Sequence, residues 1–417
     1  TPRKKEIPAA SITKACRAGT RRQNREPQET EGDGNVMNSS RKFARQSELV
    51  DTKNQSLYRS YPSENLSPQK LASILRELDS GHCKNAMNLF DDMEEKDLHL
   101  AAVMQSRIMA AAAPQRRILP ASGGPGQKRH ADFITEVWEG LEEKSRLVHD
   151  LLSAIGRGFS IAEMMFEIRE NSLIVNRIKL SPQSLFSFID PDNPGALLEF
   201  PRYMKPGSIR GEAIPREKFI FHAHRTFGGS VLRSGLYRGI AWYYLFTTFS
   251  IKDWMSFMDL YGIPLRLGKF KPSADDRSRE ILKKAVMNLG TDAAAVISED
   301  TTIEFIESRL SGSHDLFRSA VEFFNLQKSK RVLGQTLTTE QGNSGSYALG
   351  SVHDRVRADI TRLDCIMLDE TLTRDFIIPL VKANFGRQKS YPSFVSEHDV
   401  ADKNRNRLDD IKKLYDM

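Results

Sequence analysis

Cysteine is scarce in this 417-residue chain. Cys16, Cys83 and Cys365 are odd in number and far apart, which excludes a disulfide framework or a cysteine metal site and fits a reduced, cytosolic setting. Long apolar runs are missing as well. The longest, 240–246 and 376–381, are core-sized and fall short of the ~20 residues a bilayer-crossing helix needs, so no membrane partner is expected. The Arg-rich N-terminus has no apolar run behind it and does not read as a secretory signal. A broad basic face is also lacking. The net charge is +7, yet residues 1–48 hold 11 Lys/Arg against 6 Asp/Glu, which leaves the rest nearly balanced. That argues against a protein that reads DNA sequence through a basic surface.

Catalytic motifs are absent in the same way. Gly123-Gly124-Pro125-Gly126-Gln127-Lys128 lacks the spacing of a phosphate loop, and no buried strand leads into it, so it reads as a connector. His222-Ala223-His224 places two imidazoles on one side of an extended segment. Without a third ligand at recognisable spacing, the plainer reading is an exposed strand end. Asp190-Pro191-Asp192-Asn193-Pro194-Gly195 is turn chemistry. No Ser or Cys stands near a His in a nucleophile motif. The expectation is a protein that is not an enzyme and has no cofactor and no metal.

What is present is an α+β layout. Residues 1–60 are polar and weakly periodic and read as a disordered basic leader. The chain begins with Thr1, and the segment after Met37 is more ordinary, so residues 1–36 are expected to lie upstream of the natural start. Ser67-Pro68 signals a helix start, with Leu71, Ile74, Leu75 and Leu78 on one face. Helical pattern continues over 85–96 and 98–113, stops at Pro114, and resumes over 131–154 as one amphipathic stretch. The period then shifts to strands: a hairpin over 160–169 and 172–180 turning at Glu170-Asn171, and short strands at 185–189, 197–201 and 218–222. Residues 235–261 form a long helix carrying Tyr237, Trp242, Tyr243, Tyr244, Phe246, Phe249, Trp254 and Phe257. A small α/β insert follows, with strands at 265–270, 294–297 and 302–306. Its helix, 275–288, buries Ile281, Leu282, Ala285 and Val286. A second long helix spans 315–333, a turn-rich loop 338–350, and a further helix 351–376.

Two stretches carry a resemblance. The first runs from Gly235 through Trp242, Trp254 and Phe257 to Tyr261-Gly262-Ile263-Pro264. The second is Leu333-Gly334-Gln335-Thr336-Leu337-Thr338-Thr339, about seventy residues later. In order and spacing these resemble the Mu-like phage portal proteins, and with weaker similarity around them the resemblance covers roughly 65–386. The departures lie at the ends: the leader is unfamiliar, and the chain stops soon after Asn384, where relatives continue, so the terminal region reads as shortened.

The resemblance implies a portal fold with wing, long-helix stem, α/β clip, tunnel loop and helical crown side. Mapped by order, these are a wing at 61–234, stem helices at 235–262 and 311–337, a clip at 263–310, a tunnel loop at 338–350 and a crown-side region at 351–417. It implies a homo-dodecameric ring at one capsid vertex of the virion, assembled in the bacterial host cytoplasm. Duplex DNA would pass through it without sequence recognition, and the terminase, capsid or scaffold proteins and neck proteins would be its partners. Trp242, Trp254 and Phe257 would pack the stem. Arg277, Arg279, Lys283 and Lys284 would form the partner face of the clip. Thr338, Thr339, Glu340, Gln341, Asn343 and Ser344 would line the channel, and Lys328, Lys330 and Arg331 would be positioned for phosphate contacts. A DNA-processing enzyme of the same phage module, or a head-morphogenesis protein without a channel, is the alternative.

Overall fold

Ser67 and Pro68 begin the helical part of the chain in the computed structural model, which describes residues 48–51, 61–261, 265–270, 275–288, 301–306, 313–335 and 347–397, except 194, 206 and 227. The Ser67 hydroxyl accepts from the Lys70 amide at 3.2 Å, and Pro68, with no N–H to satisfy, takes the first helical turn. Helix α1 (Pro68–Asp79) buries Leu71, Ile74, Leu75 and Leu78. Helices α2 (Lys84–Lys96) and α3 (Leu98–Ala112) are separated by Asp97 alone, whose carboxylate caps α3 by accepting from the Leu100 amide at 2.9 Å. A short strand β1 (Arg116–Leu119) follows Pro114.

The stretch expected as one helix over 131–154 is divided. Helix α4 (Pro125–Glu139) ends at Gly140, and α5 (Lys144–Leu152) starts after Glu143, which sits in the left-handed region at φ 55°. A single turn, α6 (Ala154–Arg157), leads into the sheet. Strands β2 (Phe159–Arg169) and β3 (Ser172–Ser181) form the expected hairpin. Glu170 and Asn171 take φ 49° and 62°, the paired left-handed conformation that matches strand twist. Strands β4 (Phe186–Ile189) and β5 (Leu197–Tyr203) pair with each other, and the Asp190 side chain accepts from the Asp192 amide in the turn between them. Strand β6 (Phe219–Ala223) joins the other side of β2, giving an antiparallel sheet of order β3-β2-β6.

Helix α7 (Leu236–Tyr261) crosses α6 closely. A Cβ on Gly156 would stand 2.4 Å from the Tyr237 ring, and one on Gly235 would stand 2.5 Å from the Gly156 carbonyl oxygen. Strands β7 (Leu265–Phe270) and β8 (Thr301–Ile306) pair antiparallel, with α8 (Asp276–Asn288) between them in sequence. Helix α9 (Ser313–Leu333) returns antiparallel to α7, as the ring pairs Phe257–Phe317 and Phe246–Phe324 require. Helix α10 (Tyr347–Leu372) begins inside the segment expected as loop, then passes through a π turn (Thr373–Ile377) into α11 (Ile378–Phe385). Strand β9 (Ser393–Ser396) pairs antiparallel with β1.

Several expectations are corrected. On α8, Leu282 is buried but Ile281 is exposed, so the apolar stripe is narrower than expected. The leader is not free throughout. The Leu49 and Val50 amides donate to the Glu163 carboxylate at 2.8 and 3.1 Å, and Val50 lies in the core. The rest of 1–60, the strand expected at 294–297 and the loop residues 338–346 lie outside the described residues.

Side chains of α10, the π turn and α11 close the free edges of the sheets. Asp375 accepts from the Phe221 amide and Arg374 donates to the Phe221 carbonyl on β6. Asn384 exchanges two bonds with Leu173 on β3. Thr373 and Asp369 accept from the Phe394 and Ser396 amides on β9. An open edge templates pairing with another chain, and these contacts remove much of that template.

Candidate functional site, a long-helix pair and the polar seam that anchors it

The foot of α9 is held by three groups from the N-terminal helices. Lys328 is fully buried and its ammonium meets Asp97 at 2.5 Å and Asn325 at 3.2 Å. Burial pushes the Lys328 pKa down against the pull of Asp97. Ser329 bonds His99 at 2.7 Å. One turn later, the Val332 carbonyl accepts from Arg107 at 2.7 Å. Gly334 then takes φ +70°, and a Cβ there would press on Ile360 at 2.8 Å, so the chain turns against α10 at a position that suits glycine.

Arg107 is the centre of this seam. Its Nε and Nη2 form a bidentate pair with Asp364 of α10 at 2.8 and 2.9 Å, while Nη1 holds Val332. His224 meets Asp364 from the end of β6 at 2.8 Å, and His222 meets Thr371 at 2.9 Å. Burial alone would raise the Asp364 carboxyl, but hydrogen bonds from His224 and Arg107 outweigh it and hold the group below its ordinary value. Burial, with help from nearby His224, pushes His222 down to about 3, so this ring is neutral in the fold. The two histidines are therefore not an exposed strand end. Both are buried, with ring centres 6.5 Å apart and separate partners. Among the described residues no cluster of three His, Cys, Asp or Glu could hold a metal ion.

Above the seam, α7 carries apolar groups that its own chain leaves uncovered. Trp242, Phe246 and Phe249 recur at i, i+4 and i+7 on one stripe, and Ile251, Met255 and Met258 repeat that spacing nine residues later. Nine residues at 3.6 per turn are two and a half turns, so the two stripes lie on opposite sides of the helix. Phe246, Phe249, Ile251, Met255 and Met258 are 38–46% exposed. Between the stripes runs the seam with α9, where Tyr243 and Phe246 meet Phe324 and Phe257 meets Phe317. On α9 itself Leu316 and Phe323, at i and i+7, are 70% and 53% exposed.

The residues singled out in the sequence fall unevenly on this geometry. Trp242, Trp254 and Phe257 are half-buried on α7; Trp242 packs on the core and Phe257 on α9. Lys328 is withdrawn as a phosphate contact, because Asp97 and Asn325 occupy its ammonium, while Lys330 and Arg331 are exposed. Arg277, Arg279, Lys283 and Lys284 all face outward on α8. Thr338, Thr339, Glu340, Gln341, Asn343 and Ser344 lie outside the described residues. Arg107 and Asp364 went unnoticed, since neither spacing nor composition marks a pair 257 positions apart. The histidines carried a signal: Phe219-Ile220-Phe221 is an unbroken apolar run, typical of a strand covered on both faces.

Helices in two layers over small antiparallel sheets, with a long-helix pair built around uncovered apolar stripes, define a structural subunit. Comparison with known proteins names its family. The family model for the portal protein of Mu bacteriophage matches residues 87–417. The chain is 32% identical over 373 residues to the Mu-like prophage FluMu protein gp29 of Haemophilus influenzae, covering 86% of this chain and 69% of that protein. It is 31% identical over 325 residues to the portal protein of Escherichia phage Mu, covering 78% and 62%. The chain belongs to the Mu-type phage portal protein family. Its fold matches a chain of the native gene transfer agent virion with a TM-score of 0.51 at 10% identity, over 82% of this chain and 88% of that one. A chain from the neck of the native particle, determined with C12 symmetry, matches with a TM-score of 0.50 at 10% identity, over 82% and 88%. Among the described residues no helix is long and apolar enough to cross a membrane.

Proposed function

We propose that copies of this chain close into a ring at one capsid vertex, through which duplex DNA is packaged and ejected. The observation that carries this is the pair of opposite apolar stripes on α7. A subunit of a closed ring touches two neighbours through two different surfaces, one on each side. A helix with Trp242, Phe246 and Phe249 on one side and Ile251, Met255 and Met258 on the other has such a pair, and α9 occupies the direction between them. A monomer gains nothing from leaving both stripes in water. The C12-symmetric neck that shares this fold supports twelve copies as the ring size.

On this reading α7 and α9 are the stem and the β7–α8–β8 module is the clip. Arg277, Arg279, Lys283 and Lys284 on α8 meet the terminase during packaging and neck proteins afterwards. Residues 338–344, with Thr338, Thr339, Glu340, Gln341, Asn343 and Ser344, line the channel. Lys330 and Arg331 just before them are the basic groups that remain open to phosphates. The protein would then be a component of the virion, assembled in the host cytoplasm. Negative-stain microscopy of the purified chain tests the reading: closed rings with an axial channel are expected, and a monodisperse monomer at all concentrations would overturn it.

A further inference from the structure

A cavity of about 470 Å³ opens where α1, the start of α7 and the end of α9 converge. Its apolar wall is Ala72, Leu75 and Trp242, and four guanidinium groups surround it, from Arg76, Arg233, Arg238 and Arg331. Asp79 is the one carboxylate in the lining. It meets Arg238 at 2.6 Å and Arg233 at 3.8 Å, so it engages two of the four. Arg76 donates to the Ala72 carbonyl of its own helix, and among the described residues no carboxylate lies within ion-pair distance of Arg331. The cavity therefore carries an excess of three positive charges over an apolar floor. Its volume falls in the range of about 300–1,000 Å³ typical of sites that take a small ligand or a few side chains. Guanidinium groups favour planar carboxylates, which they bind through two hydrogen bonds.

The far side of α7 has the opposite charge. Phe90 of α2 packs on Tyr237 at 5.7 Å. Tyr237 lies five residues before Trp242, which places it about 140° around the helix from the cavity wall. Outside Phe90, α2 presents Asp91, Glu94 and Glu95. Asp91 and Glu94 share Arg157 at 2.7 Å each, yet their side chains remain 46% and 30% exposed, and Glu95 is exposed. Three carboxylates around one arginine leave this rim negative.

We propose that the Arg76/Arg331 cavity receives the Asp91/Glu95 rim of α2 from the next copy of the chain, as the polar half of the contact between ring neighbours. The inference rests on the ring reading above. Both features flank α7 on roughly opposite sides, as its two apolar stripes do, and the cavity wall Trp242 belongs to one of those stripes. An apolar contact seats the neighbours; the charge pair sets their register and excludes the same-on-same arrangement, in which four arginines would face four.

Charge reversal tests it. In Arg76→Glu/Arg331→Glu the cavity is acidic and meets an acidic rim; in Asp91→Arg/Glu95→Arg the rim is basic and meets a basic cavity. Each chain alone should lose rings by at least tenfold on native mass spectrometry at low salt, with an unchanged melting temperature. A 1:1 mixture of the two, and the single chain carrying all four changes, should form rings again, because each restores opposite charges at the contact. If the rim variant melts early, Glu95→Arg alone leaves Asp91 and Glu94 on Arg157 and takes its place. Wild-type ring yield from the cavity variant, or no recovery in the mixture and the four-change chain, overturns this inference while leaving the ring reading intact. So does a cavity variant whose rings form normally but retain less DNA, which would make the cavity a phosphate site. A wild-type chain that never closes overturns the ring reading itself.

Discussion

Around β6 the charges that leave solvent find partners on distant elements, whereas along α7 and α9 large apolar groups are left in solvent with none. Arg107 with Asp364, Lys218 with Glu163 and Lys328 with Asp97 are ion pairs with side chains at most 9% exposed. On the helix pair, Leu316, Phe323, Met255 and Phe249 are 70, 53, 46 and 38% exposed. The first region satisfies itself within one chain. The second is complete only if another surface covers it. Buried ion pairs are weak sources of net stability, but they penalise any arrangement that separates them, so they suit a body that must hold one shape while its helices bear against neighbours.

That contrast is sharpest at Asp364. Its removal leaves Arg107 buried without its carboxylate and His224 without its acceptor. Breaking a buried pair in this way costs about 3–5 kcal/mol. Asp364→Ala should therefore lower the melting temperature more than any exposed change on α7. A melt within error of wild type would mean that the seam does not anchor the body.

The stripes should behave in the reverse sense. Phe249→Asp and Met255→Asp each place a charge at a solvent-facing position, so the melting of the isolated subunit should move by no more than about 0.5 kcal/mol. Ring formation should suffer much more. Loss of a central interface anchor costs about 2 kcal/mol or more per contact, roughly a 30-fold weakening at each. Sedimentation of both variants at matched concentration gives the ring fraction. Wild-type rings from both would remove the stripes from the interface and dissolve the distinction between the regions.

His222 supplies a smaller and pH-dependent effect. Its folded pKa, about 3, is below its unfolded value near 6.5, so between these limits the unfolded chain binds a proton that the fold excludes. Its contribution is intact above about pH 6.5 and is lost as pH falls towards 3, at up to roughly 1.4 kcal/mol per pH unit. Asp364, depressed instead from a carboxylate's value, acts in a lower window and does not mask this one. Denaturant midpoints at pH 7.5, 6.5, 5.5 and 5.0 should fall from the second value onward, and His222→Asn should flatten that slope. Equal slopes in the two proteins would mean that this histidine is charged in the fold.

Most of the fold was legible because it is local. The Ser67-Pro68 start, the Glu170-Asn171 hairpin and the bounds of α7, β7 and α9 follow from capping, turn chemistry and period within a few residues. What was illegible is what the chain joins across distance. Strand β1 has four residues, and its partner β9 comes nearly 280 positions later, so no periodicity announces it. Helix α10 begins at Tyr347, within a turn-rich composition that favours a loop reading. Lys328 looked like an outward charge because the sequence shows Lys328, Lys330 and Arg331 together, and only the packing of α9 on Asp97 separates the buried one from its exposed neighbours. The stripes on α7 were visible as an aromatic load. Their division onto opposite sides is helical arithmetic, but which groups stay uncovered depends on where α9 lies.

The smallest effect on stability is expected at α8, which sharpens the comparison from the other end. Arg277, Arg279, Lys283 and Lys284 are exposed, and the ion pairs the structure gives them are surface contacts on the same helix, Arg279 with Asp276 at 3.5 Å and Lys284 with Glu280 at 3.9 Å. Such pairs contribute between nothing and about 1 kcal/mol, and salt screens them. Reversing Arg279 and Lys283 to Glu should leave melting within about 0.5 kcal/mol of wild type and ring yield unchanged. If these charges meet the packaging motor, the double variant should bind it more weakly, and the deficit should be greatest at low salt, where exposed charges attract most strongly, and shrink as salt is raised. If they serve only to keep the module soluble, motor binding will match wild type at every salt concentration while the variant's tendency to precipitate increases. A deficit that is independent of salt would point to a change in the shape of the β7–α8–β8 module, which circular dichroism of the same sample detects.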